Sequence, residues 1–175
     1  MENCGLIHVY TGAGKGKSTA AFGLCLRASG WGLRSAIVQF MKSGQDCGEI
    51  LACSALPLID FYCYGSERFL SKGDNPCAED QELARQALSK ARELLADSAV
   101  DLLVLDELGN AIYFGLVSEE EALALLRHKR PEQELVLTGR NMPQALIELA
   151  DLVTEMTEIK HQYQKGRKAR KGIEY

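Results

Sequence analysis

Three alternating glycines, Gly12, Gly14 and Gly16, run directly into Lys17, Ser18 and Thr19. Residue types in this order can hold a polyphosphate. Glycines let backbone N–H groups turn toward an anion, a lysine neutralises phosphate oxygens, and a serine hydroxyl can ligate Mg²⁺. A tight connection would account for the glycines alone, but not for Gly-Lys-Ser placed after the apolar segment Leu6 to Tyr10. The usual phosphate loop has four residues between its first glycine and Gly-Lys-Ser/Thr. Here three residues separate Gly12 from Gly16, and Thr11 stands where the first glycine would be. The tighter loop, with Ala13 and Lys15 between its glycines, allows the phosphate chain an unusual direction and so bears on which atom is presented for attack. A second set of oxygens comes from Asp106 and Glu107, which end the apolar run Leu102 to Leu105. Two acids at a strand end can hold Mg²⁺ (or Mn²⁺) directly or through water, or orient a nucleophile. Loop and acids together call for MgATP.

Such groups converge only if strands deliver them to one edge of a sheet. Apolar runs rich in β-branched residues read as strands at Leu6 to Tyr10, Arg34 to Met41, Leu58 to Tyr64, Val100 to Asp106, Glu134 to Thr138 and Leu152 to Met156. Their nearly continuous apolarity implies burial on both faces and hence a mostly parallel sheet. Helical periodicity marks Lys17 to Ser29, Gly48 to Leu56, Ala78 to Ala96, Ser118 to Lys129 and Pro143 to Leu149. The alternation predicts an α/β/α sandwich of about six strands with right-handed crossovers. Ser118 with Glu121 three residues on is a capping box. Gly65 to Cys77 lacks either period and is the one long internal loop, of a kind usually functional or mobile.

At 175 residues the chain suits one domain with a core of its own. Its six cysteines include no pair two residues apart, so a zinc knuckle or redox motif is not indicated. With no signal peptide ahead of the first strand and no long apolar run, the expectation is a cytoplasmic protein, off the membrane, with reduced thiols packed as small hydrophobes. Net charge is −4, yet six of the 20 basic residues fall among the last 16 positions. The basic tail, residues 157–175, therefore suits an anion or the acidic body of its own domain. A tail that touched nucleic acid would fit the charge, but one tryptophan and no aromatic-basic interleaving argue against it.

With these segments assembled, the sequence resembles the ATP:corrinoid adenosyltransferases of the P-loop type over most of its length. The residues that carry the likeness begin with His8-Val9-Tyr10-Thr11-Gly12 and Gly14-Lys15-Gly16-Lys17-Ser18-Thr19-Ala20-Ala21. Leu26-Arg27-Ala28, Val38-Gln39-Phe40 with Lys42, and Val104-Leu105-Asp106-Glu107 follow. Leu137-Thr138-Gly139-Arg140, Ala150-Asp151 through Met156, Lys160-His161, and Ala169-Arg170-Lys171-Gly172-Ile173-Glu174-Tyr175 complete it. The shortened loop is itself a family feature.

The resemblance implies a P-loop NTPase-like (RecA-like) fold in which Co(I) of a reduced corrinoid attacks C5′ of ATP and inorganic triphosphate leaves. Lys17 and Glu107 would be catalytic. Ser18 and Glu107, with Asp106, would serve the metal; Arg27 and Arg140 would contact phosphate, and the tail from Lys160 to Lys171 would fold over the site. A reduced flavoprotein as electron donor and a homodimer are implied as partners. Some members carry a Phe-X-Trp element that crowds the corrinoid. Here the segment reads Arg68-Phe69-Leu70-Ser71 and Trp31 lies elsewhere, so Phe69 is expected to keep part of that role. The chain also begins almost at its first strand, without the longer N-terminal extension of some members, so a lid from a partner subunit is expected to be absent or differently made. The competing reading is a P-loop ATPase or kinase in which Glu107 orients water or a hydroxyl and ADP is left.

Overall fold

The computed structural model describes residues 4–44, 47–68, 70–71, 73–166 and 168–174. Strand β1 (Ile7–Thr11) leads through the glycine loop into α1 (Lys17–Ser29), then β2 (Ser35–Phe40), α2 (Gly48–Cys53) and β3 (Ile59–Tyr64). Helix α3 (Ala78–Ala96), β4 (Leu102–Asp106), α4 (Leu108–Tyr113), α5 (Glu119–Leu126), β5 (Glu134–Thr138), α6 (Gln144–Leu149) and β6 (Leu152–Glu155) follow. A 3₁₀ turn, Gln162–Lys165, lies in the tail.

All pairings are parallel in one six-stranded sheet ordered β3-β2-β4-β5-β1-β6. Alternation along the central strands divides two cores. Ile37, Val104 and Val136 point toward Ala21, Cys25 and Ala28 of α1. Ala36, Val38, Phe40, Leu103, Leu105, Leu135 and Leu137 meet side chains of α3, α4, α5 and α6. The sandwich is the expected P-loop NTPase-like one. Burial on both faces holds for β2, β4 and most of β5, whereas β6 is exposed throughout because it is an edge with a neighbour on one side only.

Helices α1 and α3 have the expected bounds; α2 and α5 are shorter. The box that opens α5 is formed, the Ser118 hydroxyl accepting from the Glu121 N–H at 3.1 Å and the Ser118 N–H donating to Glu121 Oε2 at 2.8 Å. Helix α4 has no sequence signal, for it is short and contains Gly109. That glycine is needed for contact: a Cβ on Gly139, past the end of β5, would lie 2.5 Å from Gly109 Cα. A Cβ on Gly109 would in turn lie 3.1 Å from Gly139 Cα, tighter than an ordinary contact.

Because the sheet is parallel, every strand presents its carboxyl end on the same edge. Open parallel sheets bind ligands there. The glycine loop after β1, Met41 and Lys42 after β2, Glu107 after β4 and Arg140 after β5 all lie on that edge.

Candidate active site

The loop is shaped by the end of β6. Gly14 N–H donates to the Met156 carbonyl at 2.6 Å, and Met156 N–H donates to the Thr11 carbonyl at 2.8 Å. A Cβ on Gly12 or Gly14 would sit 2.5 or 2.7 Å from the Met156 oxygen, so both must be glycine for the loop to lie this close. Lys17 is buried and spans the loop, its ammonium donating to the carbonyls of Gly12 and Gly14 at 2.7 Å each. One of its three N–H donors remains for a phosphate oxygen. Burial depresses its pKa, and repulsion from Arg140 and, more weakly, Lys42 adds to this against the opposing pull of Glu107 and Asp106. Cations crowded until one is destabilised are what a polyphosphate would relieve.

Across the cleft, the two acids behave differently. Asp106 is fully buried, with Oδ1 accepting the Thr138 hydroxyl at 2.7 Å and Oδ2 accepting the Gln39 amide at 2.7 Å. Each of its oxygens accepts one hydrogen bond from a neighbouring strand, so Asp106 ties β2, β4 and β5 together beneath the site, set back from the cleft that Glu107 faces. Glu107 is the residue offered to the cleft. Its backbone is left-handed, φ 63°, and its N–H donates to Thr138 Oγ1 at 2.9 Å. Its carboxylate accepts from the Asn110 amide and lies 3.4 Å from Lys42 Nζ.

Gly14, Lys15, Gly16, Lys17, Ser18 and Thr19 line a cleft of about 290 Å³, closed by Lys42, Glu49, Glu107, Arg140, His161 and Glu174. A larger one of about 450 Å³ is lined by Met41, Lys42, Leu70, Ser71, Glu107, Asn110, Phe114, Arg140 and Asn141. Lys42, Glu107 and Arg140 form the wall that both share. Hydroxyl and carboxylate oxygens of Ser18 and Glu107 on one cleft suit Mg²⁺, which takes few protein ligands and fills its shell with water and phosphate. Among the described residues no three His, Cys, Asp or Glu side chains are grouped so as to hold a metal. A metal arriving with a triphosphate fits this donor set.

Several expected residues are placed otherwise. Thr11 gives its hydroxyl to the Arg140 carbonyl at 3.3 Å and supports the wall instead of lining the cleft. Ala13 is exposed at the loop's outer turn. Arg27 is not brought to this cleft: ten residues along α1 from Lys17, about 15 Å at helical rise, it lines a separate cleft with Trp31, Asp101 and Glu132 at the opposite edge of the sheet. Phe69 lies outside the described residues; its neighbour Leu70 is buried and lines the larger cleft. The tail does reach the site, but with an anion. Glu174 accepts from Lys15 Nζ at 3.0 Å and from Arg170 Nη2 at 3.1 Å, so Arg170 is spent on its own segment. Arg170, with Lys15 and Gln162, holds the Glu174 carboxyl well below the usual range. Lys42, Asn110 and Phe114 went unassigned from the sequence; Lys42 stood in the matched segments, while Asn110 and Phe114 depend on α4, which had no signal.

The sequence profile of the family described as ATP:corrinoid adenosyltransferase BtuR/CobO/CobP matches residues 3–175. A corrinoid adenosyltransferase from Sinorhizobium sp is 39% identical over 174 residues, covering 98% of this chain and 80% of that protein. Corrinoid adenosyltransferase of Escherichia coli K12 is 34% identical over all of this chain and 88% of its own length. Corrinoid adenosyltransferase CobA of Salmonella typhimurium LT2 stands at the same 34% and the same shares. Two clefts that share two cations and a carboxylate as their common wall thus occur in a chain that belongs to the ATP:corrinoid adenosyltransferase family, transferases that move the adenosyl group of ATP to a corrinoid.

Proposed function

We propose that the smaller cleft takes the triphosphate of MgATP, that the larger one receives the reduced corrinoid, and that C5′ of ATP lies at the wall between them. The observation that carries this reading is the sharing of Lys42, Glu107 and Arg140 by both clefts, which sets them side by side across three side chains. Met41, Leu70 and Phe114 offer the larger cleft apolar surface for a macrocycle, and Ser71, Asn110 and Asn141 offer hydrogen bonds for its amide side chains.

Co(I) is a strong nucleophile, so the protein needs no base to activate it. Its task is to position C5′ and neutralise a triphosphate leaving group, which is electrostatic work. Lys15, Lys17, Arg140 and the loop N–H groups supply positive charge, and Ser18 with Glu107 would hold Mg²⁺ (or Mn²⁺), whose charge neutralises the phosphate chain when bound. Asn110 orients the Glu107 carboxylate and also accepts the Arg140 N–H at 3.1 Å, tying the wall together. A cytoplasmic setting suits free thiols such as Cys25, whose pKa burial pushes up to about 12. A reduced flavoprotein as electron donor and a homodimer complete the proposed setting.

The test is anaerobic incubation with MgATP and chemically reduced cob(I)alamin, with both products identified. Inorganic triphosphate and a light-sensitive cobalt–carbon product are expected. The β,γ-imido analogue of ATP should remain a substrate, because no β–γ bond breaks. Stoichiometric ADP without the cobalt–carbon product would favour phosphoryl transfer instead.

A further inference from the structure

Among the described residues, two that are not glycine have a left-handed backbone: Met41, φ 62°, and Glu107, φ 63°. Such residues are uncommon, and they persist where the surrounding structure holds them. Both stand just past neighbouring strands, β2 and β4, whose register pairs Gln39 with Asp106. The two bends bring the side chains of Lys42 and Glu107 together over Asp106. Lys42 Nζ lies 3.4 Å from Glu107 Oε1 and 3.5 Å from Asp106 Oδ2. These separations exceed the 2.7–2.9 Å of a charge-assisted hydrogen bond. The contact to Asp106 is a long hydrogen bond, both carboxylates lie beside the ammonium, and 44% of the side chain is exposed on a residue that lines both clefts.

The chemistry demands a cation at this place. In adenosyl transfer the electron pair of Co(I) forms the Co–C5′ bond, and the C5′–O5′ pair departs with O5′. That oxygen stays on the α-phosphorus, so the α-phosphoryl group gains one negative charge; no proton and no further electron is exchanged. The new charge appears at the boundary between corrinoid and triphosphate. Of the three side chains shared by both clefts, Glu107 has the wrong sign, and of the two cations Lys42 is the one held over the carboxylates of Glu107 and Asp106.

We propose that Lys42 is a catalytic residue whose ammonium meets the oxygen departing from C5′ and stabilises the charge that develops on the α-phosphoryl group. This rests on the reading above, in which the two clefts divide triphosphate from corrinoid. The place differs from that of Lys17, which sits inside the loop and is bonded to the carbonyls of Gly12 and Gly14. Lys42 interacts more strongly with the transition state and product than with ATP, because only they carry the extra charge.

The test compares the unmodified enzyme with Lys42→Met, Lys42→Gln and Lys42→Arg. Turnover is measured with preformed cob(I)alamin, and binding of MgATP and of inorganic tripolyphosphate is measured without corrinoid. Lys42→Met should lower kcat by about 100-fold or more, as loss of a transition-state charge partner does, while KM for ATP changes by less than about threefold. Tripolyphosphate affinity should fall at least about tenfold more than ATP affinity, Lys42→Gln should behave alike, and Lys42→Arg should recover part of kcat. A kcat for Lys42→Met near the unmodified value, or equal weakening of ATP and tripolyphosphate in both neutral variants, overturns the proposal and leaves Lys42 a partner of the carboxylates. ADP in place of triphosphate from the unmodified enzyme overturns the reaction class itself, and the role of Lys42 with it.

Discussion

At the scale of single residues, charge and geometry divide tasks that look alike in sequence. Lys17 and Lys15 stand two apart, but Lys17 bonds the loop's own carbonyls while Lys15 reaches the tail carboxylate. Asp106 and Glu107 are adjacent, but one is locked beneath the sheet edge and the other is turned into the cleft by a left-handed bend. Lys17→Ala and Ser18→Ala should each cut turnover by about 100-fold or more, with circular dichroism unchanged. Near-normal turnover with unchanged ATP affinity in either variant would place the phosphate site elsewhere. Glu107→Gln should raise the Mg²⁺ concentration for half-maximal activity roughly tenfold or more, with a smaller change in ATP affinity. Titrating the metal at saturating ATP checks this, and equal losses of both would mark Glu107 as structural.

At the scale of elements, the segment between β3 and α3 is a loop tied at both ends by one carboxylate. Asp80, on the first turn of α3, accepts the Cys77 N–H at 3.0 Å and the Ser66 hydroxyl at 2.8 Å, with Arg68 4.0 Å away. Burial alone would raise its pKa, but the Cys77 and Ser66 hydrogen bonds and Arg68 together hold the carboxyl below its ordinary value. A carboxyl depressed in the folded state contributes stability above its unfolded pKa, about 3.9, and loses it as pH falls through the folded value. Asp80→Asn should therefore destabilise by about 2 kcal/mol at pH 7, and its deficit against the unmodified protein should shrink on acidification. Urea unfolding at neutral and acid pH measures this; a gap independent of pH would exclude the charged form as the tie. Leu70 and Ser71, carried by this loop, line the larger cleft, so a looser loop should also weaken corrinoid binding more than ATP binding.

At the scale of the whole molecule, the last residues return to the first loop. Lys15 Nζ is bound by Glu174 Oε1 at 3.0 Å and by the Ile173 carbonyl at 3.1 Å, and Glu174 lines the cleft proposed for the triphosphate. An anion placed there competes with a polyphosphate for Lys15. Glu174→Gln should tighten ATP binding by about two- to fivefold, the range of a partly exposed ion pair, and should speed hydrogen exchange at the backbone of residues 168–174. Calorimetry and exchange mass spectrometry test the two arms. Unchanged ATP affinity would mean that Lys15 is not a phosphate contact. Across the membrane question, no helix among the described residues is long and apolar enough to span a bilayer.

Local pattern was enough for β1, the glycine loop, α1, α3 and the capping box of α5, because glycine spacing, apolar period and caps act within a few residues of themselves. The same local chemistry singled out Gly14 to Thr19 and Glu107, which the fold brings to one cleft. Strand order was decided only in three dimensions, since parallel strands β4 and β5 pair across intervening helices and nothing in either strand names its neighbour. So was the fate of Arg27, carried to the far edge by ten residues of helix, and of Asp106, whose oxygens are satisfied by Gln39 and Thr138 from the strands on either side. The meeting of Lys42 with Glu107 is likewise tertiary. It needs two adjacent strands in one register and a left-handed residue after each, and such conformations are imposed on methionine and glutamate by packing, not by their own preference.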